Sequence, residues 1–282
     1  MRKTAIHAVA LLIVACASGT ARAGQILWID DAFGNIGTVD VSTGASTVIG
    51  NSGVNLTDIA FDPNGNLFGV SFTSLYTINA HNGHAILIGN LGDIVNGGAN
   101  ALVFAPNGTL YAASSLSPDL FTVNPATGAA TAVAGTLSVG SAGDLAFSGG
   151  NLFLTARTNE LIRVDNLPGP VSGTIIGPLG FPDVLALATG SDGVLYGVEG
   201  TQILQVNITT GHATLLINYF GNALAGANGA TVLPAGLSVP EPSSLVMGCI
   251  SVLVGLGVAR YRRGNQRGLE PRNRPQIGSS PL

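Results

Sequence analysis

Three histidines lie in the body of the chain, His81, His84 and His212. Imidazole is the side chain best suited to proton transfer and metal ligation near neutral pH. His84 and His212 each follow a glycine (Gly83, Gly211) and hold one equivalent position in two separate repeats. That spacing keeps them apart, so they read as exposed turn residues. Asp62-Pro63-Asn64-Gly65-Asn66 resembles the opening of a calcium loop. A complete loop of that kind needs glycine at its sixth position and an acid at its twelfth. Leu67 and Thr73 stand there instead, which makes the segment a tight turn. Asp30-Asp31 is a weaker cation candidate still. Arg157 and Arg163 are the only cations from residue 24 to 239, with Glu160 between them. They could grip an anionic sugar, but an ion pair with Glu160 is the simpler expectation. No phosphate-binding loop, zincin helix, serine-nucleophile elbow or paired-cysteine motif is present. The acids read as scattered: Asp40 and Asp165 share a repeat position with Asn79, Asn124 and Asn207, a structural pattern. The residues thus predict no catalytic site, no metal and no cofactor, and a body that is not an enzyme.

Charge and cysteine usage narrow the class further. The 282-residue chain has a net charge of −4, with 9% charged and 46% hydrophobic residues. Residues 24–239 carry 13 acids against those two arginines and contain no lysine, while both ends are basic. A body so acidic repels phosphate backbones, so no nucleic-acid partner is expected. Both cysteines, Cys16 and Cys249, fall in terminal apolar segments. The body therefore folds without a disulfide.

The elements that position these groups repeat. Leu27, Leu67, Leu110, Leu152 and Leu195 recur at spacings of 40, 43, 42 and 43 residues. Each sits in a short strand, and in the last four repeats it follows a glycine turn such as Asn64-Gly65 or Asn107-Gly108. A second strand in each repeat ends at Asp40, Asn79, Asn124, Asp165 or Asn207, with a turn glycine at 44, 83, 128, 169 or 211. Four short strands in about 42 residues, repeated, is the pattern of β-propeller blades. The expected fold is all-β, with five four-stranded blades between residues 24 and 238. The strand near Ala230–Leu233 lacks a following partner and Ile26–Trp28 lacks a preceding one, so pairing them would close the ring. A solenoid of stacked sheets is the alternative. Trp28, Phe68, Tyr111, Phe153 and Tyr196 share one repeat position; packing between blades, rather than sugar stacking, is the expectation for them.

The two ends read as addresses. Arg2 and Lys3, an apolar run, and Ala21-Arg22-Ala23 before Gly24 form a signal peptide over residues 1–23. Ile13-Val14-Ala15-Cys16 also resembles a lipobox, which would instead lipidate Cys16. Near the other end, Val239-Pro240-Glu241-Pro242 precedes an uncharged apolar run and then Arg260-Tyr261-Arg262-Arg263. A transmembrane helix is predicted over 243–260, marginal in length, with the basic cluster Arg260, Arg262 and Arg263 on the cytoplasmic side. Residues 239–264 form this tail, and 265–282 read as a disordered cytoplasmic extension.

In that order, the Pro-Glu-Pro element, the short span and the arginines resemble the PEP-CTERM sorting tail of Gram-negative bacteria. The resemblance implies an exosortase-type membrane peptidase as partner, cutting near Pro240–Pro242. It also implies transient residence in the inner membrane with the body outside the cytoplasm, then release to the cell surface or an extracellular polysaccharide matrix. Such tails usually end soon after the arginines, whereas 19 residues follow Arg263 here. The sequence thus predicts an exported, non-enzymatic matrix or binding protein. The alternative is a carbohydrate-active propeller enzyme of the envelope, a lyase or hydrolase, which would need acids converging at one place.

Overall fold

A computed structural model of the chain describes residues 25–92, 98–219 and 224–238. The signal-peptide residues Ala21, Ala23 and Gly24, the sorting tail with its predicted helix, and both cysteines lie outside them. Among the described residues there is no helix, and none is long and apolar enough to cross a membrane.

The strands form five small antiparallel sheets, each a blade. Blade I joins β1 (Ile26–Asp31), β2 (Asn35–Asp40) and β3 (Ser46–Asn51) to β21 (Ala227–Thr231). Blade II holds β4 (Asp58–Phe61), β5 (Leu67–Val70), β6 (Ser74–Ile78) and β7 (Ala85–Asn90). Blade III holds β8 (Ala99–Phe104), β9 (Leu110–Ser114), β10 (Leu120–Val123) and β11 (Ala130–Ala132). Blade IV holds β13 (Ser141–Ser148), β14 (Asn151–Ala156), β15 (Glu160–Asp165) and β16 (Val171–Pro178). Blade V holds β17 (Val184–Thr189), β18 (Leu195–Glu199), β19 (Gln202–Val206) and β20 (Ala213–Asn218). The expectation of four strands per blade fails only in blade IV. There the two-residue strand β12 (Gly135–Thr136) adds to β16 in parallel, Gly135 opposite Val171.

Ring closure follows the expected pairing. Trp28 stands opposite Thr231 and Ile29 opposite Ala230, so the two chain ends share blade I and close the ring. The solenoid alternative is thereby excluded.

The core lies between blades rather than within one. Five buried clusters are each drawn from two neighbouring blades. Leu145, Leu152 and Leu154 of blade IV, for example, pack on Ala101, Ala113 and Leu120 of blade III. This explains strands that are apolar on both faces: each sheet has a neighbour on either side. The repeated aromatic position serves the same packing. Trp28, Tyr111, Phe153 and Tyr196 are buried, and Trp28 meets Phe61 edge-on with centroids 5.2 Å apart.

The turns account for much of the glycine. Asp40, Asn79, Asn124 and Asn207 each cap a turn, accepting the N–H of the residue two ahead through a side-chain oxygen. The fifth member departs: Asp165 instead binds Arg163 at 2.7 Å, and Asn166, not Gly169, takes positive φ. At blade contacts the fit is tighter still. A Cβ on Gly50 of β3 would stand 1.9 Å from the Asn82 carbonyl oxygen of blade II. Only a residue without a side chain lets the Asn82–Gly83 turn rest on its neighbour.

Candidate functional site

The innermost strands of the five blades are β21, β4, β8, β13 and β17. At one register they present Gly229, Asp58, Ala101, Asp144 and Ala186 towards the axis, as the pairing of four of them shows: Gly229 with Asp30, Asp58 with Val70, Ala101 with Ala113 and Ala186 with Val198. The next residue in each strand, Ala230, Ile59, Leu102, Leu145 or Leu187, turns its backbone N–H inward. Two carboxyl groups receive all five. Asp58 accepts from Ile59 at 2.6 Å and Leu102 at 2.5 Å. Asp144 accepts from Leu145 at 2.5 Å, Leu187 at 2.6 Å and Ala230 at 3.3 Å.

A third acid joins them from the second strand of blade I. Asp30 lies three residues after Leu27, where the other repeats have Val70, Ala113, Thr155 and Val198. It reaches the axis because Gly229 has no side chain. Asp30 Oδ1 and Asp58 Oδ1 lie 2.8 and 2.1 Å from the point where a Gly229 Cβ would stand. The two oxygens are therefore within about 5 Å of each other. All three acids are fully buried, and neither carboxyl oxygen of Asp30 has a hydrogen-bond partner.

Three charges cannot coexist so closely out of water. Burial pushes the Asp144 carboxyl up to about 8, against the pull of its N–H donors and a hydrogen bond from Asp58. Burial also raises Asp58 well above the ordinary carboxylate range, reinforced by the charge of Asp144 and by that shared hydrogen bond. Asp30 is raised by burial first and then by the charge of Asp144. Burial thus favours the protonated form of all three carboxyls, and the hydrogen bond within the pair runs from Asp58 to Asp144.

Immediately above this ring the channel opens into a polar mouth. Thr57, Gly143 and Asn228 each precede the axis position of their strand and line a cavity of about 460 Å³ with Asn55, Asn100, Ser141 and Arg157. Asn228 Nδ2 donates to the Leu56 carbonyl at 3.1 Å, and Asn100 Nδ2 to the Ser141 carbonyl at 3.3 Å. The Asn100 Oδ1 and Ser141 Oγ atoms are buried and have no partner. Phe72 and Leu116 also line the cavity, on hairpin tips that leave them 54% and 62% exposed. The opposite end of the channel is a second cavity of about 450 Å³ walled largely by apolar groups, including Phe61, Phe104, Phe147 and Pro234.

The expected pairing of Arg157 and Arg163 with Glu160 is corrected. Arg163 Nε donates to Asp165 Oδ1, while Glu160 accepts from Thr158 Oγ1 at 2.7 Å. Arg157 Nη1 donates to the Ser115 carbonyl at 2.6 Å and makes no ion pair among the described residues, which leaves its charge at the mouth. Arg163, on β15, is thus used structurally. His81, His84 and His212 are exposed on turns, as expected. Asp62 closes its turn by accepting from Asn64 and Asn66 N–H at 2.9 and 2.8 Å. Asp31 does the same for Phe33 and Asn35, both at 2.9 Å, and also receives Ala225 N–H. Among the described residues, no group of three His, Cys, Asp or Glu is arranged to hold a metal ion.

No family model matches this chain, and no curated protein matches it either. Solved structures do resemble it. A chain of a nidogen/laminin complex superposes with TM-score 0.52 at 12% identity, over 76% of this chain and 99% of that one. A gluconolactonase from Xanthomonas campestris gives TM-score 0.49 at 14% identity, over 73% and 85% of the two chains. Virginiamycin B lyase from Staphylococcus aureus gives 0.43 at 15%, over 71% and 68%. At such identities the likeness bears on fold alone, and it agrees with the propeller. The expectation that the body is not an enzyme is corrected here. It rested on acids lying scattered along the sequence, whereas folding brings Asp30, Asp58 and Asp144 together at the axis. Two of the solved structures named above are of enzymes, a gluconolactonase and a lyase.

Proposed function

We propose that this chain is an exported, carbohydrate-active propeller enzyme of the cell envelope, a lyase or hydrolase working at the polar mouth of the channel. One observation carries the reading: three buried carboxyl groups, Asp30, Asp58 and Asp144, converge at the axis, Asp58 and Asp144 each one residue beyond a group that lines the mouth. Cleavage of a sugar chain needs a proton donor and a proton acceptor within one site. A protonated Asp30, with both oxygens free of partners, is the group best placed to release a proton. Asp58 and Asp144 are anchored by backbone N–H groups and set how that proton is held. Asn55, Asn100, Asn228 and Thr57 supply the neutral donors and acceptors that orient sugar hydroxyls.

The reading also has the chain exported through residues 1–23 and sorted by its tail. An exosortase-type peptidase would cut near Pro240-Glu241-Pro242 and release the enzyme to the surface or the polysaccharide matrix. Its test is an assay of the purified protein on envelope polysaccharides, scoring new reducing ends and unsaturated chain ends. Product from the wild type, lost in Asp30→Asn, is the expected result. Absence of both turnover and binding across neutral and acidic polysaccharides sinks it.

A further inference from the structure

We infer that the mouth takes a sugar bearing a carboxylate, a uronic acid unit, with Arg157 as the residue that holds the acid group. This deepens, and rests on, the reading of the mouth as a carbohydrate site. The first argument is charge. Arg157 and Arg163 are the two cations of the body, and Arg163 is spent on Asp165. Arg157 has no ion-pair partner among the described residues and sits on the hairpin tip between β14 and β15, where it lines the cavity. Its contact with the Ser115 carbonyl occupies one Nη atom and fixes the fork, leaving its remaining donors for a planar carboxylate.

The second argument is the state of the acids below. Three charged carboxylates at the axis would repel an anionic ligand from the mouth. Burial favours their protonated forms, and the five backbone N–H groups directed at Asp58 and Asp144 offset negative charge there. The local field at the mouth is then set by Arg157, in a body that is otherwise acidic.

The third argument is the remaining lining. Asn100 Oδ1 and Ser141 Oγ are buried polar atoms without partners in residues that line the cavity. Asn55, Thr57 and Asn228 add further polar groups to this lining, and a sugar hydroxyl offers such groups both a donor and an acceptor. Phe72 and Leu116 stand exposed on adjoining blades and present an apolar wall to the C–H face of a pyranose ring. An anion anchor, hydroxyl partners and an apolar wall together describe an acidic monosaccharide unit better than a neutral sugar or a bare anion.

The test is calorimetric titration of the purified full-length protein with three trisaccharides: a uronic acid trimer, its neutral counterpart and a sulfated counterpart. The uronic acid trimer is expected to bind about tenfold more tightly than the neutral one, the weight of one charge-assisted pair. Arg157→Gln should erase that preference, and Arg157→Lys should restore part of it. Because Arg157 is exposed, unchanged circular dichroism is expected for both variants. Equal binding of acidic and neutral trimers, or preference for the sulfated one, overturns the inference yet leaves a carbohydrate site standing. Failure of every sugar to bind removes both.

Discussion

Asp58 and Asp144 between them accept the inward N–H groups of all five innermost strands. Each blade contributes one donor, so the ring is pinned at its centre by two side chains from blades II and IV. Removing either would leave buried N–H groups without acceptors, at roughly 1–3 kcal/mol apiece. Asp30, from which the proposed chemistry draws its proton, lies beside Asp58.

The first prediction concerns pH. Folded-state values raised above the unfolded value of about 4 give stability that is complete below that value and lost as pH climbs through the folded one. For Asp144 that upper limit is about 8, and Asp30 and Asp58 shift in the same direction. Asp40 and Asp165 are lowered, Asp40 chiefly by the Ser42 hydroxyl and Asp165 chiefly by Arg163, so their contribution fades only at strongly acid pH. Melting temperature should therefore fall steadily between pH 5 and pH 8. A flat or rising profile in thermal denaturation would contradict the shared-proton arrangement.

Asp30→Asn removes one member of the trio while keeping its shape. It should leave melting near pH 4 almost unchanged and raise it progressively towards pH 8, by about 3 °C or more, since each pH unit above the unfolded value is worth about 1.4 kcal/mol per proton. Turnover should vanish in the same variant. Greater stability with loss of activity is the signature of a strained functional group. A variant less stable at both pH values would make Asp30 a structural residue only.

Gly50→Ala tests the contact between blades I and II. The new methyl would meet the Asn82 carbonyl at 1.9 Å, and backbone on both sides must shift. A loss of about 1–3 kcal/mol is expected, seen as an earlier chemical-denaturation midpoint. Gly53→Ala is the control for a left-handed glycine in open space, with φ +77° and nothing within 4 Å. It carries only the strain of its backbone, about 1 kcal/mol.

Mass spectrometry of the mature protein tests the sorting proposal. A C-terminus near Glu241 in the surface fraction is expected, and it would leave β21 and the blade I pairing whole. An intact Leu282 there argues against processing, and a lipid on Cys16 would replace signal cleavage before Gly24.

The blades were legible because the leucine spacing and the Asn-Gly turns are local signals, repeated five times. The closure of blade I followed from one unpaired strand at each end. The acid ring was not legible as a site, because its members come from two different strand positions 28 and 86 residues apart. A trace of it exists in the register: Asp30 stands where four repeats have Val, Ala, Thr and Val, and Asp58 and Asp144 where others have Ala or Gly. An acid at a position otherwise small or apolar points into the ring rather than out of it. The partner of Arg163 escaped for a related reason. Asp165 was assigned to its turn by analogy with four equivalents, while blade IV replaces that turn with another built around Asn166.

The clasp in blade I also sets an order of events. Blades II to V are made of strands consecutive in the chain, so each can assemble as its hairpins are synthesised. Blade I cannot, since β1 waits for β21 and residue 231 is among the last of the body to be made. Until then the axis lacks the Ala230 donor and the gap at Gly229 that admits Asp30. Completion of the ring and completion of the acid centre are thus one step, taken only when the whole body has emerged.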